Sequence, residues 1–562
     1  MLRLSVAAPS LCCRGLVRRA STAAPTSLGT AKKEGSIADA FVSLSGAKRA
    51  PLPDRFRKIK CDLVRGREKQ IVHGWGGLLR ELRRENDIIA REGSDVIPQV
   101  EFAHLEAGCR GLRDEIRKRG VIVVRGVVPE GEARAYKDEV EEYVRRNPWT
   151  RAFPPDDPQV YELYWSAPQL KARSHPSVLR VQHHLLADLW HTSSAAARIS
   201  LQHPLSYADR LRIRQPGDAS FALGPHMDGG SVERWEPDGY GRGGVYDKVL
   251  EGSWGDFDPW DASGRVDAVT NLYDGLGACS VFRAWQGWLS MSRSGPREGT
   301  LLVNPLVRLA TAYVLLRPFF APLSDGGPGF LDESNWAFVG EAAMTSELHG
   351  ASPGHAQELT DALHPHLELA RTMVHVPLIK PGDFVAWHGD SENREKERLY
   401  QEIEDLKLAQ RRGGLAPSTV DSIFERSASR AGVHERPQSR GSGRTRQTLV
   451  EDELEPIHSV DAVHRGSGDS SVMYIPVCPV TDTNAAYLAR QRQAFRDGTP
   501  APDFPGGEGE RRHAGRPTEG ALRRWADGLA RQALGLERIQ PRRGGLPGET
   551  EAIAGANAAL GF

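Results

Sequence analysis

The tripeptide His226-Met227-Asp228 constrains the fold of this chain more than any other feature. A histidine and a carboxylate two residues apart can place an imidazole nitrogen and a carboxylate oxygen on one metal ion. With a second histidine they would form a facial triad that leaves coordination positions open, a ligand set that favours non-haem Fe(II) and oxygen chemistry. The third ligand has to come from a distant part of the chain, so the fold must bring separated strands together.

Three downstream histidines are candidates for the third ligand: His388, His458 and His464. The segment Asp383–His388 is apolar and aromatic after a Pro-Gly turn, which predicts a strand that enters a core. The segment Ser471–Val477 predicts another strand. A jelly-roll barrel brings sequence-distant strands of this kind together, and its interior can hold a metal.

The order of several motifs resembles the phytanoyl-CoA dioxygenase type of Fe(II)/2-oxoglutarate oxygenase. These motifs are His226-x-Asp228, Gly382-Asp383, Trp387-His388 and His458-Ser459. The strings YADRLRIRQPGD, LGPHMDGGSVERWE, GWLSMS, GTLLVNP, AYVLLRPFF, SSVMYIPVCP and ANAALGF are similar to the family catalogued as domain of unknown function 1479. The resemblance runs from about residue 100 to residue 562, apart from one insertion.

The resemblance implies an α+β protein with a mainly β core, a double-stranded β-helix (jelly roll) flanked by N-terminal and C-terminal helices. It implies Fe(II) held by His226, Asp228 and His458, 2-oxoglutarate as co-substrate, and hydroxylation of a small molecule. In the relatives the distal histidine follows the aromatic-His pair closely, whereas here residues 392–456 intervene. Reading that polar, partly disordered segment as an insertion places His458 in the distal position, although a translated intron would give the same pattern.

Supporting roles are predicted for polar and aromatic residues beside these motifs. His388 and Trp387 are expected to stand behind the ligands, and His464 is similar. Metal-bound histidines donate their second ring nitrogen to a carboxylate or carbonyl, which gives Asp390 and Asp461 a possible supporting role. Each histidine also has a plainer interpretation as a core residue with satisfied hydrogen bonds.

Binding of 2-oxoglutarate requires a cation for its distal carboxylate, and the planar fork of arginine suits this role. In the phytanoyl type this arginine lies about a strand beyond the distal histidine, where this chain has Gly468-Asp469-Ser470. Arg283, Arg214 and Arg465 are therefore the candidates, with surface or structural pairing as the alternative for each.

Composition limits the classes of partner. The formal net charge of +0 gives no global field that would attract nucleic acid or an acidic membrane. No apolar run is long enough to span a bilayer. The six cysteines contain no C-x-x-C pair, which favours a reducing compartment.

The chain has no Rossmann glycine fingerprint, P-loop or nucleophile elbow. A small-molecule substrate is the predicted partner, and the oligomeric state stays open.

The chain divides into regions of different composition. Residues 1–35 carry arginines, serines and threonines with almost no acid, which predicts a mitochondrial transit peptide; an unstructured tail on a cytoplasmic protein is the alternative. Residues 36–95 are predicted to form a linker followed by helices, and residues 96–562 the oxygenase-like domain. Residues 231–275 predict a long loop over the site. A helix is expected over Leu522–Leu536, followed by a Gly-rich tail.

Two further features of the domain sequence are informative. The β-branched run at 120–128 predicts a buried strand, and the next segment predicts an amphipathic helix. Arg210, Arg212 and Arg214 alternate along a predicted strand, so they share one face, which is either solvated or turned towards an anion.

Two other functions are compatible with the sequence. A non-catalytic metal-binding or regulatory member of the same fold would explain the missing arginine and the interrupted strand pair. A metal enzyme that uses Zn²⁺ without 2-oxoglutarate would also need a His/Asp ligand set.

Overall fold

The structure is a computed structural model that describes residues 41–42, 50–218, 223–275, 278–390, 392–394, 464–504, 506–542 and 544–562, with the backbone alone for 392–394. The predicted leader, His458, Asp461 and most of the predicted insertion lie outside these described residues.

Along the chain, helices precede, separate and follow the strands. The α-helices are α1 (Arg55–Val64), α2 (Glu68–Glu92), α3 (Leu105–Gly111), α4 (Arg113–Arg119), α5 (Glu130–Arg146), α6 (Ala167–Arg173), α7 (Pro176–Ala187), α8 (Asp247–Leu250), α9 (Val307–Leu316), α10 (Leu369–Thr372), α11 (Asp482–Asp497), α12 (Glu519–Trp525), α13 (Gly528–Ala533) and α14 (Pro547–Ala559). The strands are β1 (Gln99–Glu101), β2 (Val121–Arg125), β3 (Ala152–Phe153), β4 (Val160–Tyr161), β5 (Ile199–Leu205), β6 (Leu211–Arg214), β7 (His226–Met227), β8 (Trp285–Ser290), β9 (Leu302–Asn304), β10 (Phe320–Pro322), β11 (Trp336–Phe338), β12 (Gln357–Glu358), β13 (Val374–His375), β14 (Phe384–His388), β15 (Glu392–Arg394), β16 (Ser470–Tyr474) and β17 (Cys478–Thr481).

Two sheets carry the site. The larger is 8-stranded, in the order β1-β2-β14-β8-β16-β6-β4-β3, and only its β1–β2 pair is parallel among the described strands. The smaller is 5-stranded and antiparallel, in the order β12-β7-β15-β9-β13. The architecture is therefore mixed α+β with a large, mainly antiparallel sheet.

The central strands β2, β14 and β8 of the large sheet are buried on both faces, and most of their residues are apolar. In β2, Val121 and Val123 join a core that also contains Met227 and Val303 of the smaller sheet and residues of α2 and α9. Ile122 and Val124 join a second core with residues of α5 and α7. Side chains alternate between these two cores along each strand, and this period decides which residues can reach the space between the sheets.

Several expectations from the sequence are confirmed. The helices predicted before residue 95 are α1 and α2, the run at 120–128 contains β2, and α5 buries Ala133, Tyr136, Val140 and Tyr143 on one face. The strands predicted around 384–388 and 471–477 are β14 and β16. Among the described residues, no helix is both long and apolar enough to cross a membrane.

Three expectations need correction. The insertion cannot begin at residue 392, because β15 pairs with β7 and β9 and belongs to the smaller sheet. The helix expected over Leu522–Leu536 is split into α12 and α13, and Asp527 caps the second by accepting a hydrogen bond from the Ala530 amide. The end of the chain is helix α14, which buries Ile553 and Ala556 rather than forming a loose tail.

Candidate functional site

His226 and Asp228 come together at the end of β7. The His226 Nε2 and Asp228 Oδ1 atoms lie 3.6 Å apart, and the His226 side chain is buried. Nδ1 of His226 lies 2.8 Å from the Gly224 carbonyl oxygen, so a proton on Nδ1 leaves the Nε2 lone pair facing Asp228. Burial lowers the pKa of His226, but the Asp228 carboxylate more than offsets this, and the pKa is raised above its ordinary value.

The turn after Asp228 is fixed from several sides. Gly229 and Gly230 adopt φ angles of 74° and 99°, in the region that favours glycine. Tyr240 Oη donates to the Gly229 carbonyl. Arg234 Nη2 donates to the Asp228 carbonyl oxygen at 2.5 Å. These contacts hold the backbone of the carboxylate ligand candidate while its side chain stays partly open.

The pair faces a cavity of about 110 Å³ that is lined by residues of both sheets. From the large sheet come Gln286 and Gly287 of β8, Trp387 of β14 and Tyr474 of β16, and Leu223, Asp209, Arg210 and Arg283 complete much of the wall. Trp387 Nε1 donates to Asp228 Oδ2 at 3.4 Å. We call this space the metal-site cavity.

The supporting roles predicted for His388 and Asp390 are wrong. For His388 the reason is that successive side chains of β14 point to opposite faces of the sheet. Trp387 faces the space between the sheets, so its neighbour His388 faces the opposite core, stacked 4.9 Å from Trp190. Nε2 of His388 lies 3.0 Å from the Pro259 carbonyl oxygen, and its Nδ1 accepts from the Asp390 amide at 3.0 Å. Burial lowers the pKa of His388 to about 3.

Asp390 is the centre of a buried ion cluster rather than a partner of a ligand histidine. It accepts from Arg234 Nη1 at 2.9 Å, from Arg265 Nη2 at 2.6 Å and from Tyr246 Oη at 2.9 Å. Burial raises the pKa of Asp390, but the two arginines outweigh burial and hold it below its ordinary value.

The third ligand is not found among the described residues, which contain no group of three or more His, Cys, Asp and Glu side chains able to hold a metal. His464 is unsuited because Nδ1 accepts from the Gly466 amide and Nε2 lies 2.7 Å from the Gly468 carbonyl oxygen. His458 and Asp461 lie outside the described residues, so their roles stay predictions.

Of the three arginine candidates, only Arg283 lines the metal-site cavity. Its guanidinium lies 5.8 Å from the Tyr207 ring centroid and makes no hydrogen bond or ion pair within the described residues. Burial lowers the pKa of Arg283, but the nearby Cys279, Tyr207 and Asp228 side chains raise it by a larger amount. The pKa therefore lies above its ordinary value, and the guanidinium stays cationic. Arg214 is buried against Asp218 at 2.6 Å, and Arg465 is exposed.

The solvated-face interpretation of the arginine strand is wrong for two of its members. Arg212 and Arg214 are both buried, and Arg212 Nη2 donates to Gln159 at 3.2 Å. Arg210 is partly buried beside Asp209 and stacks on Phe504 at 4.6 Å, and it lines the metal-site cavity.

The family follows from comparison with known proteins. The Gig2-like family profile matches residues 50–398 and 453–536, which is most of the chain. The chain belongs to the Gig2-like family. His226 and Asp228 fall in the first matched part and His458 in the second, and residues 399–452 fall between the two.

Proteins similar to this chain come from Candida albicans, Salmonella typhimurium and Escherichia coli. The crystal structure of GlcNAc Inducible Gene 2, GIG2 (DUF1479), from Candida albicans has a TM-score of 0.69 and 26% identity, covering 92% of this chain and 97% of that one. A protein of Salmonella typhimurium LT2 described as "Putative Oxidoreductase" has a TM-score of 0.62 and 25% identity, over 87% and 99%. "Uncharacterized protein YbiU" of Escherichia coli K12 is 28% identical over 448 residues, 77% of this chain and 85% of that protein.

Sequence reasoning missed two residues of this Gig2-like site. Arg234, seven positions after the central Met227, joins the Asp228 turn to Asp390. Gln286 pairs in register with Trp387 and lines the metal-site cavity. A buried polar residue in the apolar run VFRAWQGWLSMS was a signal for Gln286, and an arginine within the motif string GGSVERWE was one for Arg234.

Proposed function

We propose that this protein is a non-haem Fe(II)- and 2-oxoglutarate-dependent oxygenase that hydroxylates a small molecule. One observation carries the proposal: an imidazole nitrogen and a carboxylate oxygen lie 3.6 Å apart on the wall of a cavity between two sheets. We interpret the two sheets as the walls of a jelly roll, the fold that the family resemblance implies.

Two of the described residues, His226 and Asp228, have the donor chemistry of metal ligands and lie close together. The second ring nitrogen of His226 is tied to a backbone carbonyl, an arrangement that orients metal-bound histidines, and Trp387 restrains the Asp228 carboxylate. His226 and Asp228 would supply two of the ligands and His458 the third. An Fe(II) ion with open positions, together with 2-oxoglutarate, would supply the activation of dioxygen.

Arg283 is our candidate for the anchor of the co-substrate. Arg283 lines the metal-site cavity and forms no ion pair among the described residues, so its guanidinium is available to a ligand. Its planar fork would hold the distal carboxylate through two parallel hydrogen bonds. Leu223, Leu301 and Trp387 on the cavity wall would exclude water around the reacting groups.

The test measures binding of Fe(II) and 2-oxoglutarate under anaerobic conditions, and succinate release in air. His226→Ala and Asp228→Ala should each lower Fe(II) affinity by about 100-fold or more. His191→Ala and Asp258→Ala are matched controls, because these residues form an exposed His–Asp pair 2.8 Å apart outside the metal-site cavity. Unchanged Fe(II) affinity in both site variants would overturn the proposal.

The anchor is tested separately. Arg283→Gln should weaken 2-oxoglutarate binding by about 100-fold, the loss of a paired buried charge, while Fe(II) affinity changes little. Arg293→Gln is the control, because Arg293 is 64% exposed and lies outside the cavity lining. If Arg283→Gln binds 2-oxoglutarate as well as the unaltered protein does, another cation holds it.

A non-catalytic metal-binding member of the family is the second candidate. Gly468-Asp469-Ser470, where the phytanoyl type has its arginine, supports this candidate. The same experiment separates the two, because this candidate binds metal without binding 2-oxoglutarate. Metal analysis of protein purified with and without air would identify a zinc protein.

We also propose that the protein acts in mitochondria, on the composition of residues 1–35. A fluorescent protein fused after residue 35 should enter mitochondria. The same fusion with Arg3, Arg14, Arg18 and Arg19 changed to glutamine should stay in the cytoplasm. Equal distribution of both fusions would contradict the mitochondrial assignment.

A further inference from the structure

A second cavity of about 300 Å³ adjoins the metal-site cavity. Arg283 and Gln286 line both spaces, so the two cavities meet at these side chains. Its other walls come from residues 265–271 of the long loop, from Cys279 to Phe282, and from the start of α11. We call this space the loop cavity. Its size is at the lower end of the range for small-molecule sites, about 300–1,000 Å³.

The loop cavity offers polar groups that the fold does not use. The Gln286 side chain is 6% exposed, and its amide makes no hydrogen bond within the described parts of the chain. The Asn271 and Thr483 side chains on the same lining are likewise without a hydrogen bond to any described residue. A ligand in the loop cavity could form hydrogen bonds with these amide and hydroxyl groups. These groups favour a hydrophilic ligand over a hydrocarbon.

The charges on the lining favour an anion. Three arginines, Arg242, Arg265 and Arg283, face two carboxylates, Asp267 and Asp390. Arg234 and Arg265 both pair with the single Asp390 carboxylate, so this cluster keeps one net positive charge. Asp267 is exposed at the rim, as is Arg242, and neither has an ion-pair partner among the described residues.

We propose that the loop cavity binds the primary substrate, and that this substrate is a small hydrophilic molecule with an acidic group, a carboxylate or a phosphate. Arg242 attracts the acidic group at the rim, and the Gln286 amide positions the substrate where the loop cavity meets the metal-site cavity that His226 and Asp228 line. The assignment rests on the oxygenase proposal, because the reacting carbon has to lie next to the metal.

The charge preference is measured with a thiol at the rim. Thr483→Cys is made in protein with Cys12, Cys13 and Cys279 changed to serine, and its reaction with an anionic and a cationic methanethiosulfonate reagent is timed. Thr550→Cys is the matched control, because Thr483 and Thr550 are both exposed threonines in the first turn of a helix. The anionic-to-cationic rate ratio should be higher at position 483 than at position 550.

Two charge variants identify the source of that preference. Arg242→Gln should lower the rate ratio at position 483 by about two- to fivefold, the effect of one unit charge in a wet cavity, and Asp267→Asn should raise it by a similar factor. Neither variant should alter the ratio at position 550. A ratio at position 483 that is no higher than at position 550 would overturn the acidic class of substrate.

Binding is measured in the Thr483→Cys variant, by protection of the introduced thiol from iodoacetamide. The probes are glycerate, glycerol 3-phosphate and glycerol at equal concentration, which share a three-carbon skeleton and differ in the acidic group. Protection by one or both acids but not by glycerol supports the proposal, and the acid that protects better identifies carboxylate or phosphate. Equal protection by all three, or protection by none, counts against it.

The outcome is separable from that of the oxygenase proposal. Gln286→Leu should abolish protection by the acid while leaving Fe(II) binding unchanged, and the conservative Gln286→Asn should restore part of it. Loss of Fe(II) and 2-oxoglutarate binding with acid protection intact would remove the oxygenase proposal alone. Intact Fe(II) and 2-oxoglutarate binding without acid protection would remove this one alone.

Discussion

Two His-x-Asp tripeptides in this chain, His226-Met227-Asp228 and His388-Gly389-Asp390, have the same spacing and opposite surroundings. Asp390 is bound by two arginines and a tyrosine, and both ring nitrogens of His388 are engaged. The first tripeptide faces a cavity, and Nε2 of His226 has a carboxylate as its neighbour. The pKa values of the two histidines shift in opposite directions. Side-chain partners, rather than the spacing, separate a structural motif from a candidate metal site.

The largest expected effect concerns the two carboxylates. Asp390→Asn leaves Arg234 and Arg265 buried without a counter-charge, and we expect it to lower the free energy of unfolding by about 3–5 kcal/mol. Asp228→Asn should cost at most about 1 kcal/mol. Denaturant unfolding of metal-free protein measures both. Equal losses would break the distinction between the two motifs.

The two histidines should respond to pH with opposite sign. His388 has a pKa of about 3 in the folded protein, below the unfolded value near 6.5. Its contribution to the free energy of unfolding is therefore fully present above pH 6.5 and is lost as pH falls. By pH 5 the stability lost through His388 amounts to about 2 kcal/mol. His388→Asn should remove that part of the acid destabilisation. Unfolding titrations between pH 7 and pH 5 provide the measurement.

The contribution of His226 to stability should depend on pH in the opposite direction. Because its folded pKa is raised, it stabilises the metal-free protein below the unfolded pKa, and this contribution disappears as pH rises through the folded value. His226→Asn should therefore steepen the loss of stability in acid. Parallel curves for His388→Asn and His226→Asn would contradict the opposite surroundings of the two rings.

The smallest effect sharpens the role of the first motif. Trp387→Phe removes the 3.4 Å hydrogen bond to Asp228 and should weaken Fe(II) binding by about tenfold, with little change in stability. Trp285→Phe is the control, because Trp285 packs in the opposite core and donates to the Leu185 carbonyl oxygen. Calorimetric titration of both variants compares them. An equal loss of affinity in Trp285→Phe would show that packing alone is responsible.

The sequence was sufficient for elements whose cause is local. The runs that form β2, β14 and α5 follow from hydrophobic period and were located to within a few residues. The family could also be identified, because many separated strings match it in order, and the family profile confirms it. His226 and Asp228 could be proposed together because a short motif contains both, and the structure places them 3.6 Å apart.

The rest depended on which side chains meet across the chain. Nothing in the string WHGD indicates that His388 faces Trp190 instead of the cavity, because that depends on the register of β14 against its neighbours. The partners that neutralise Asp390 lie 156 and 125 residues away in sequence. The sequence named both Arg283 and Arg214 as candidate anchors. Arg283 could be preferred only once the structure showed that Arg214 forms an ion pair with Asp218.

Arg234 touches both tripeptides, since one terminal nitrogen donates to the Asp390 carboxylate and the other to the Asp228 backbone. The scaffold therefore holds the main chain of the cavity motif through a contact that depends on neither the imidazole nor the carboxylate. Mutations that erase the chemistry need not harm folding. Selection could discard or replace the reaction in a descendant while the architecture persists, so shared shape among these proteins is no guarantee of shared catalysis.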